Sequence, residues 1–476
     1  MKPQNLIILM ADELSTKSVG CYGNRQVKTP NIDALAARGT RFTNAYTNSP
    51  VCMAARACFA TGLYPHQSGY WDNSLAYDGK ETSWGHRLQQ NGHRFTTIGK
   101  LHYGADLPTG IDEQIIPMHA LGGGDVYGLL REEQPHRPQS SQLAEKMGPG
   151  DGDYIRYDRK ITELSIEWLE KQTTHNDKPW VLFISYLSPH FPLIVPQKYI
   201  DLYPLDEISL PKTLSAEGHS GHPWWETFAK GYDFDRYFKD DEHRLRAIQA
   251  YLGLCTFVDE NIGQVLNTLK SKGLDEHTCV VMTADHGDNL GSRGLWGKST
   301  MYEESAGIPM ILAGPECPKG QVCQTPVTLA DIYPTVMQSV GLEMNPTECK
   351  LPGKSLFKIV HEPIDLERVA FSEYHASCAR TACFMIRKGD YKYVHFESFE
   401  PQLFNLVYDP EETTNLAKAP SYTQVLEELH GLLIDMLDPT EVDLRAKRAQ
   451  AIRVKELGGA DAILSRATSS YTPIPI

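Results

Sequence analysis

Residues 279–298 read CVVMTADHGDNLGSRGLWGK, and this stretch decides the fold. It opens with a short apolar run, residues 279–283, whose length and β-branched composition are typical of a buried strand. The run ends abruptly at Asp285 and His286. Taken alone, this pair fits a polar turn as well as a functional site. A carboxylate and an imidazole at the carboxyl end of a strand nevertheless lie where open α/β sheets bind ligands, and both groups bind metals.

The same arrangement recurs at three other places in the chain. The apolar run at residues 6–11 is followed by Asp12 and Glu13. The run at 95–98 is followed by Lys100 and His102, and the run at 180–186 is followed by His190. Each run has strand length and no helical period. One acid after a strand usually marks a solvated turn. Four strand ends that carry acids, lysines and histidines instead indicate one shared site.

Helical segments alternate with these strands. In residues 29–39, Thr29 is placed as the N-cap, Pro30 as the first helical residue and Gly39 as the residue past the end. Residues 165–171 and about 241–272 also have apolar residues at helical spacing. Alternating strands and helices predict a large mixed, mostly parallel sheet flanked by helices on both faces.

The character of the sequence changes near Arg368. Residues 385–394 predict two short strands around a Gly-Asp turn, and therefore a smaller antiparallel sheet. We accordingly divide the chain into a catalytic α/β domain, residues 1–367, and a C-terminal subdomain, residues 368–476. The final TPIPI at 472–476 cannot pack as a helix. We expect this tail to reach another subunit of a homo-oligomer.

Composition excludes several classes of function. The 476 residues are 41% hydrophobic and carry a net charge of −14, which argues against a nucleic-acid binder and against a polybasic membrane patch. No run approaches the ~20 apolar residues of a membrane span. The apolar stretch after Lys2 is too short for a signal peptide and ends in two acids. Ten cysteines without a C-x-x-C pattern indicate reduced thiols and a cytoplasmic location.

The segment CMAARACFATG at 52–62 points to the chemistry. Small residues predict a helix that begins at Cys52, and backbone N–H groups at a helix N-terminus favour an anion. Arg56, one turn later, adds a fixed positive charge. A buried thiol in an alanine-rich helix is the commoner fate of a cysteine. That interpretation fits Cys58, whereas Cys52 stands at the start of the element beside Arg56.

This segment, with Thr61 and Gly62, resembles the C-x-P-x-R or C-x-A-x-R motif of the type I sulfatases of the alkaline phosphatase superfamily, whose cysteine is converted to formylglycine. The similarity continues through TPNID at 29–33, GKLH at 99–102, SPH at 188–190 and DHG at 285–287. Two residues depart from the family pattern: Ala54 replaces the motif proline, and Glu13 stands where Asp or Gln is usual. His286, the segment at 70–73 and the long tail are similar to the choline sulfatase and phosphonate monoester hydrolase branch.

The resemblance implies an alkaline phosphatase-like fold and a set of site residues. One divalent metal, Mn²⁺ or Ca²⁺, would be held by Asp12, Glu13, Asp285 and His286. The implied groups around a formylglycine derived from Cys52 are the cations Arg56, Lys100 and Lys298, the proton acceptor His102, the general acid His190, and Asn73 as a hydrogen-bond donor to a sulfuryl oxygen.

The function that the resemblance implies is a sulfatase that cleaves small or aryl sulfate monoesters, with a formylglycine-generating enzyme as its maturation partner. A phosphonate monoester or phosphodiester hydrolase that uses the same site stays open as an alternative. An inactive sulfatase-like binding protein with unmodified Cys52 is a third hypothesis, and the complete set of cationic groups argues against it. Residues 108–150, rich in Gly, Pro and His, are interpreted as an insertion on the substrate side.

Overall fold

A computed structural model describes residues 2–120, 124–133, 135–174, 177–214, 222–466 and 471–475. The strands are β1 (Asn5–Asp12), β2 (Gly39–Phe42), β3 (Ala45–Tyr46), β4 (Phe95–Lys100), β5 (Glu113–Met118), β6 (Met147–Pro149), β7 (Val181–Pro189), β8 (Leu193–Val195), β9 (Thr278–Ala284), β10 (Met310–Ala313), β11 (Gln321–Cys323), β12 (Val327–Thr328), β13 (Ala370–Tyr374), β14 (Cys383–Lys388), β15 (Tyr391–Phe396) and β16 (Gln402–Asn405). The α-helices are α1 (Pro30–Ala37), α2 (Cys52–Thr61), α3 (Pro65–Ser68), α4 (Trp84–Gln90), α5 (Ser141–Glu145), α6 (Asp153–Glu170), α7 (Gln197–Ile200), α8 (Pro223–Tyr232), α9 (Asp241–Ser271), α10 (Glu303–Ala306), α11 (Ile332–Val340), α12 (Leu356–Ile359), α13 (Thr423–Met436), α14 (Pro439–Glu456) and α15 (Ala460–Leu464).

The central sheet has eight strands in the order β11-β2-β10-β9-β1-β7-β4-β5. Strands β9, β1, β7, β4 and β5 run parallel, and β10 is antiparallel to both of its neighbours. The predicted mixed, mostly parallel sheet is confirmed. The four apolar runs singled out in the sequence are four adjacent strands, so their carboxyl ends lie side by side at one edge.

Helices flank this sheet and bury its central strand. Helices α6 and α9 pack together against β7, while α2, α4 and α11 pack together and against β1 and β4. Because β1 lies between β9 and β7, its residues 6–11 are all 0% exposed. The polar residue that ends this strand, Asp12, therefore emerges from a rigid and fully packed element.

The predicted cap of α1 is wrong in one respect. Thr29 precedes the helix as expected, but its side chain does not cap the helix and instead lies 3.2 Å from Asp33. Asp259 of α9 supplies the cap, with carboxylate oxygens that accept from the backbone N–H groups of Asn31 and Ile32. A neighbouring helix therefore satisfies these donors, which local sequence could not reveal.

The second sheet is antiparallel, in the order β13-β14-β15-β16, and its central hairpin turns at the predicted Gly389 and Asp390. Asn48 joins this sheet to the larger body. Its side-chain Nδ2 donates to Phe371 O, and its backbone carbonyl accepts from Glu373 N. The division of the chain at residue 367 stays a prediction.

The tail and the cysteines bear on two other expectations. Thr472 packs against its own chain, where its carbonyl accepts from Tyr154 Oη at 2.9 Å. Assembly into a homo-oligomer stays a prediction. All ten cysteines are free thiols. Among the helices in the described ranges, none combines the length and the apolar character needed to cross a bilayer.

Candidate active site

Three strand-end residues and the first residue of α2 meet at one point. Asp12 ends β1, Asp285 and His286 follow β9, and Cys52 begins α2. One ligand atom from each of these four side chains lies within 4.8 Å of the others, and all four residues are buried. The fold thus brings together residues that are up to 274 positions apart in the chain. Both predicted signals, the strand ends and the helix start, converge here.

Cys52 occupies the N-terminus of α2 with its side chain directed into the cluster. Its Sγ lies 3.2 Å from His286 Nε2 and 3.9 Å from Asp12 Oδ1. Burial raises the pKa of the thiol, although Lys100 and Lys298 act in the opposite direction. Since the thiolate is the reactive form of cysteine, an unmodified Cys52 is a poor nucleophile in this setting.

The two residues after β9 are oriented by backbone contacts. His286 Nδ1 lies 3.1 Å from Gly287 O, which leaves Nε2 with its lone pair toward the cluster. Burial lowers the pKa of His286, so the ring is neutral. Asp285 Oδ1 accepts hydrogen bonds from the backbone N–H groups of His286 and Glu13. Burial opposes ionisation of Asp285, but the positive charges of Arg56, Lys100 and Lys298 hold the pKa of this carboxyl well below its usual range.

Glu13 stands next to the cluster but faces a different set of groups. Its Oε2 lies 3.2 Å from both Lys298 Nζ and His190 Nε2. Burial raises the pKa of Glu13 to about 8. Its Oε1 is buried and has no hydrogen-bond partner among the described residues.

These donors fit a hard divalent cation. Two buried carboxylates, Asp12 and Asp285, and the neutral imidazole of His286 offer ligand atoms at one point. The orphaned Oε1 of Glu13 is a fourth acceptor that a buried site would ordinarily pair. Oxygen-rich sets with one nitrogen suit Ca²⁺ or Mn²⁺.

Two cations close the inner side of the site. Arg56 Nε donates to Asp285 Oδ2 at 2.8 Å, and its Nη1 donates to Lys100 O and to Ser185 Oγ. Lys100 Nζ contacts Asp12 Oδ2 and lies 3.9 Å from Cys52 Sγ. Sequence reasoning missed Ser185, because a serine inside an apolar strand carries no signal of function.

Lys298 and His190 form a hydrogen-bonded pair on the outer side. His190 Nδ1 donates to Phe191 O at 2.6 Å, and its Nε2 lies 2.8 Å from Lys298 Nζ. Burial and Lys298 lower the pKa of His190 well below its usual value. Burial also works against the charge of Lys298, but the acidic groups around it raise its pKa well above the ordinary value. His190 and Lys298 are thus joined by a hydrogen bond at the site, and the assignment of His190 as the general acid, with Lys298 helping, stays a prediction.

Asn73 and His102 complete the residues expected from the sequence. Asn73 Oδ1 accepts from Met53 N at 2.9 Å, which fixes the amide at the start of α2. His102 is buried, and its Nε2 lies 3.0 Å from Thr472 Oγ1. Burial lowers the pKa of His102 well below its usual value, so this ring is also neutral. Thr472 was not anticipated as a site residue, because the tail was assigned to subunit contact.

A cavity of about 360 Å³ opens above Cys52 and is strongly aromatic. The rings that line it are Tyr154, Phe191, Tyr232, Phe234, Trp296 and Tyr471. Gly124, Asp125, Val126 and Arg137 also line it, so part of the segment 108–150 borders this cavity. The cavity thus places aromatic rings beside the charged groups around Cys52.

Comparison with known proteins identifies relatives over most of the chain. The sulfatase family model matches residues 4–342, and the model for the C-terminal part of N-sulphoglucosamine sulphohydrolase matches residues 291–438. Choline-sulfatase of Rhizobium meliloti (strain 1021) is 29% identical over 432 residues, covering 87% of this chain and 83% of that protein. Arylsulfatase K of Homo sapiens is 28% identical over 459 residues, covering 91% and 82%.

Solved structures share the fold. Phosphonate monoester hydrolase of Agrobacterium radiobacter superposes with a TM-score of 0.74 at 24% identity, covering 91% of this chain and 95% of that chain. BT4656, in complex with its substrate D-glucosamine-2-N,6-O-disulfate, gives a TM-score of 0.74 at 23% identity, covering 91% and 97%.

Proposed function

Because the chain belongs to the sulfatase family, we propose that it hydrolyses small or aryl sulfate monoesters, with Cys52 converted to formylglycine. The observation that carries the proposal is the meeting of Cys52 with Asp12, Asp285 and His286 at the N-terminus of α2. A helix N-terminus beside fixed cations suits an oxyanion such as sulfate. Inorganic sulfate and the free alcohol are the products.

Two groups beyond the encoded side chains complete the chemistry. A divalent metal, Mn²⁺ or Ca²⁺, would be held by Asp12, Glu13, Asp285 and His286 and would supply Lewis-acid charge beside residue 52. Formylglycine, once hydrated, supplies a hydroxyl nucleophile that the poorly ionised thiol of Cys52 does not.

The residues around position 52 divide into anion binders and proton carriers. Arg56 has an uncommitted Nη2 among its described contacts, and Lys100 lies beside Cys52, so both attract the sulfuryl oxygens. Asn73 Oδ1 is occupied by Met53 N, which leaves its Nδ2 to donate to the same oxygens.

Protons move on two sides of the sulfur atom. Lys298 donates a proton to the leaving oxygen, and His190 Nε2, which accepts a hydrogen bond from Lys298 Nζ, holds the ammonium group in place for that transfer. His102 is neutral and buried, so it can accept a proton from the spare hydroxyl at residue 52.

Promiscuity toward phosphonate monoesters and phosphodiesters belongs to the same proposal. The cations and the amide that surround position 52 recognise a tetrahedral oxyanion, and none of their contacts distinguishes sulfur from phosphorus. The ratio of kcat/KM for an aryl sulfate to kcat/KM for the matching aryl phosphonate monoester decides which ester is preferred. A higher kcat/KM for the phosphonate monoester would mean that phosphonate monoester hydrolysis, and not sulfate ester hydrolysis, is the primary activity.

The mass of the tryptic peptide that covers Cys52 tests the nucleophile. After production beside a formylglycine-generating enzyme, we expect the mass that corresponds to an aldehyde in place of the thiol. Sulfatase activity should rise in proportion to the converted fraction, and Cys52→Ala should be inactive. Ala54→Pro restores the usual motif and should raise conversion in a foreign host. Full activity in material with only the thiol would refute the proposal and leave the inactive-binder hypothesis without support as well.

A further inference from the structure

The tail segment, residues 471–475, lies on the active-site cavity of its own chain. Tyr471, Thr472 and Pro473 line the cavity above Cys52. Thr472 Oγ1 lies 3.0 Å from His102 Nε2, although the two residues are 370 positions apart. Within the described residues this is the one side-chain hydrogen bond of the His102 imidazole.

Contacts with the folded body fix the position of Thr472. Tyr154 Oη, from α6, donates to Thr472 O at 2.9 Å. The Tyr471 ring stands perpendicular to that of Tyr154, with centroids 5.7 Å apart, and packs on Phe191 at 6.2 Å. Lys146 Nζ donates to Tyr471 Oη and lies 4.8 Å from the ring centre. Contacts to the Thr472 carbonyl and to the Tyr471 side chain therefore fix the backbone that carries the Thr472 hydroxyl.

His102 has a strained backbone conformation and a ring nitrogen without a partner among the described residues. Its φ is +55°, a conformation that L-residues seldom adopt, and its side chain is 5% exposed. A neutral imidazole carries one N–H and one bare nitrogen. The hydroxyl of Thr472 occupies Nε2, while Nδ1 is buried and has no hydrogen-bond partner among the described residues. No described group therefore competes for a proton at Nδ1 of His102, a residue that lines the cavity.

We propose that Thr472 is a positioning residue for His102. Its hydroxyl accepts from Nε2–H, holds the ring in one orientation and keeps Nδ1 as the bare nitrogen that takes up a proton during turnover. The inference rests on the proposed function in one respect, because the proton that His102 takes up is the one released at residue 52 in the proposed reaction. The orientation of the ring does not depend on it, because the contact is made by the unmodified chain.

Two substitutions separate the hydroxyl from the shape of the side chain. Thr472→Val keeps the shape and removes the hydroxyl, whereas Thr472→Ser keeps the hydroxyl. In the converted enzyme we expect Thr472→Val to lower kcat about tenfold, the equivalent of one neutral hydrogen bond, with KM unchanged. Thr472→Ser should stay close to the parent. Equal losses in both variants, or no loss in either, would overturn the positioning role.

A second measurement uses the unconverted chain with Cys52 intact. The ¹⁵N resonances of the His102 ring, assigned by difference from His102→Gln, report which nitrogen carries the proton. We expect protonated Nε2 in the parent and in Thr472→Ser, and a mixture of the two tautomers in Thr472→Val. Identical ring spectra in all three proteins would refute the inference. An absence of sulfatase activity in fully converted parent enzyme would instead refute the proposed function, and the ring spectra would still decide the role of Thr472.

Discussion

Arg56 and Lys392 are both buried cations, at 1% and 0% exposure, yet their surroundings differ in kind. Lys392 Nζ, in the C-terminal sheet, lies 2.7 Å from Glu303, from Glu412 and from Met301 O, so three acceptor groups surround this ammonium. Arg56, in helix α2, leaves Nη2 without a partner among the described residues.

The difference separates structural charge from functional charge. An unpaired buried donor costs free energy, and in the proposed function the Nη2 group of Arg56 recovers that cost by donating to the bound anion. Lys298 follows the pattern of Arg56, since Glu13 and His190 occupy only two of its three donors within the described ranges. The number of satisfied donors, and not burial, distinguishes the two regions.

The largest effect should come from Asp285→Ala. This change removes a proposed metal ligand and also the carboxylate that neutralises Arg56 at 2.8 Å. We expect activity to fall by about a thousandfold or more and the free energy of unfolding to fall by about 3–5 kcal/mol, because a buried guanidinium is left unpaired. Turnover assays and urea unfolding, each with and without Mn²⁺ or Ca²⁺, measure the two losses. Near-normal turnover with retained metal would show that the ligand assignment is wrong.

Much of this region could be predicted from sequence, because its signals are local. Apolar runs of strand length predicted β1, β4, β7 and β9, and the polar residue after each run placed the site at their carboxyl ends. The alanine-rich segment at 52–62 predicted α2 with Cys52 at its start. The roles of the individual residues came from the resemblance to sulfatases and were not available from spacing alone.

The parts that could not be predicted depend on contacts between distant segments. Thr472 reaches His102 from 370 residues away, and a Thr-Pro pair carries no signal for such a contact. The cap of α1 comes from Asp259 of another helix. The orientation of the His190 ring depends on Phe191 O, which occupies His190 Nδ1, and backbone acceptors of this kind have no sequence pattern.

The comparison is sharpened by Lys392→Met, which should cost stability without changing catalysis. Glu303 and Glu412 would lose their shared partner, and breaking a buried ion pair costs about 3–5 kcal/mol. Urea unfolding should show this loss, whereas kcat of the protein that stays folded should equal that of the parent. Adding Glu412→Gln removes one of the stranded charges and should recover part of the stability. A lower kcat in the folded single variant would break the distinction between the two regions.

A pH-dependent effect on the free energy of unfolding is expected at Glu373 in β13. Its two oxygens contact His66 Nδ1 and His375 Nε2, each at 2.8 Å. Burial would raise the pKa of Glu373, but His66 and His375 lower it to about 2 from an ordinary 4.5. The folded pKa is thus the lower one, so the ionised carboxylate stabilises the fold above pH 4.5, and this contribution, about 3 kcal/mol, is lost as the pH falls toward 2.

Urea unfolding across this pH range, for the parent and for Glu373→Gln, isolates the contribution of that carboxylate. The difference in unfolding free energy between the two proteins should shrink steadily as the pH falls from 4.5 to 2. A difference that stays constant over the range would mean that the carboxylate titrates with an ordinary pKa.

The smallest effect, and the one most selective for substrate, is expected at His190. His190→Ala removes the acceptor at 2.8 Å from Lys298 Nζ, and Lys298 then holds its proton without guidance toward the leaving oxygen. Loss of general acid catalysis commonly costs about a hundredfold, which applies to alkyl sulfates because their leaving oxygen needs a proton. Aryl sulfates with acidic phenols should lose far less. His190→Gln keeps an acceptor for Lys298 and should recover part of the alkyl rate, whereas Lys298→Met should show the steepest dependence on the leaving group. Equal losses for alkyl and aryl esters in all three variants would mean that the spare donor of Lys298 serves binding alone, and the pair would then belong with Arg56 as an anion site.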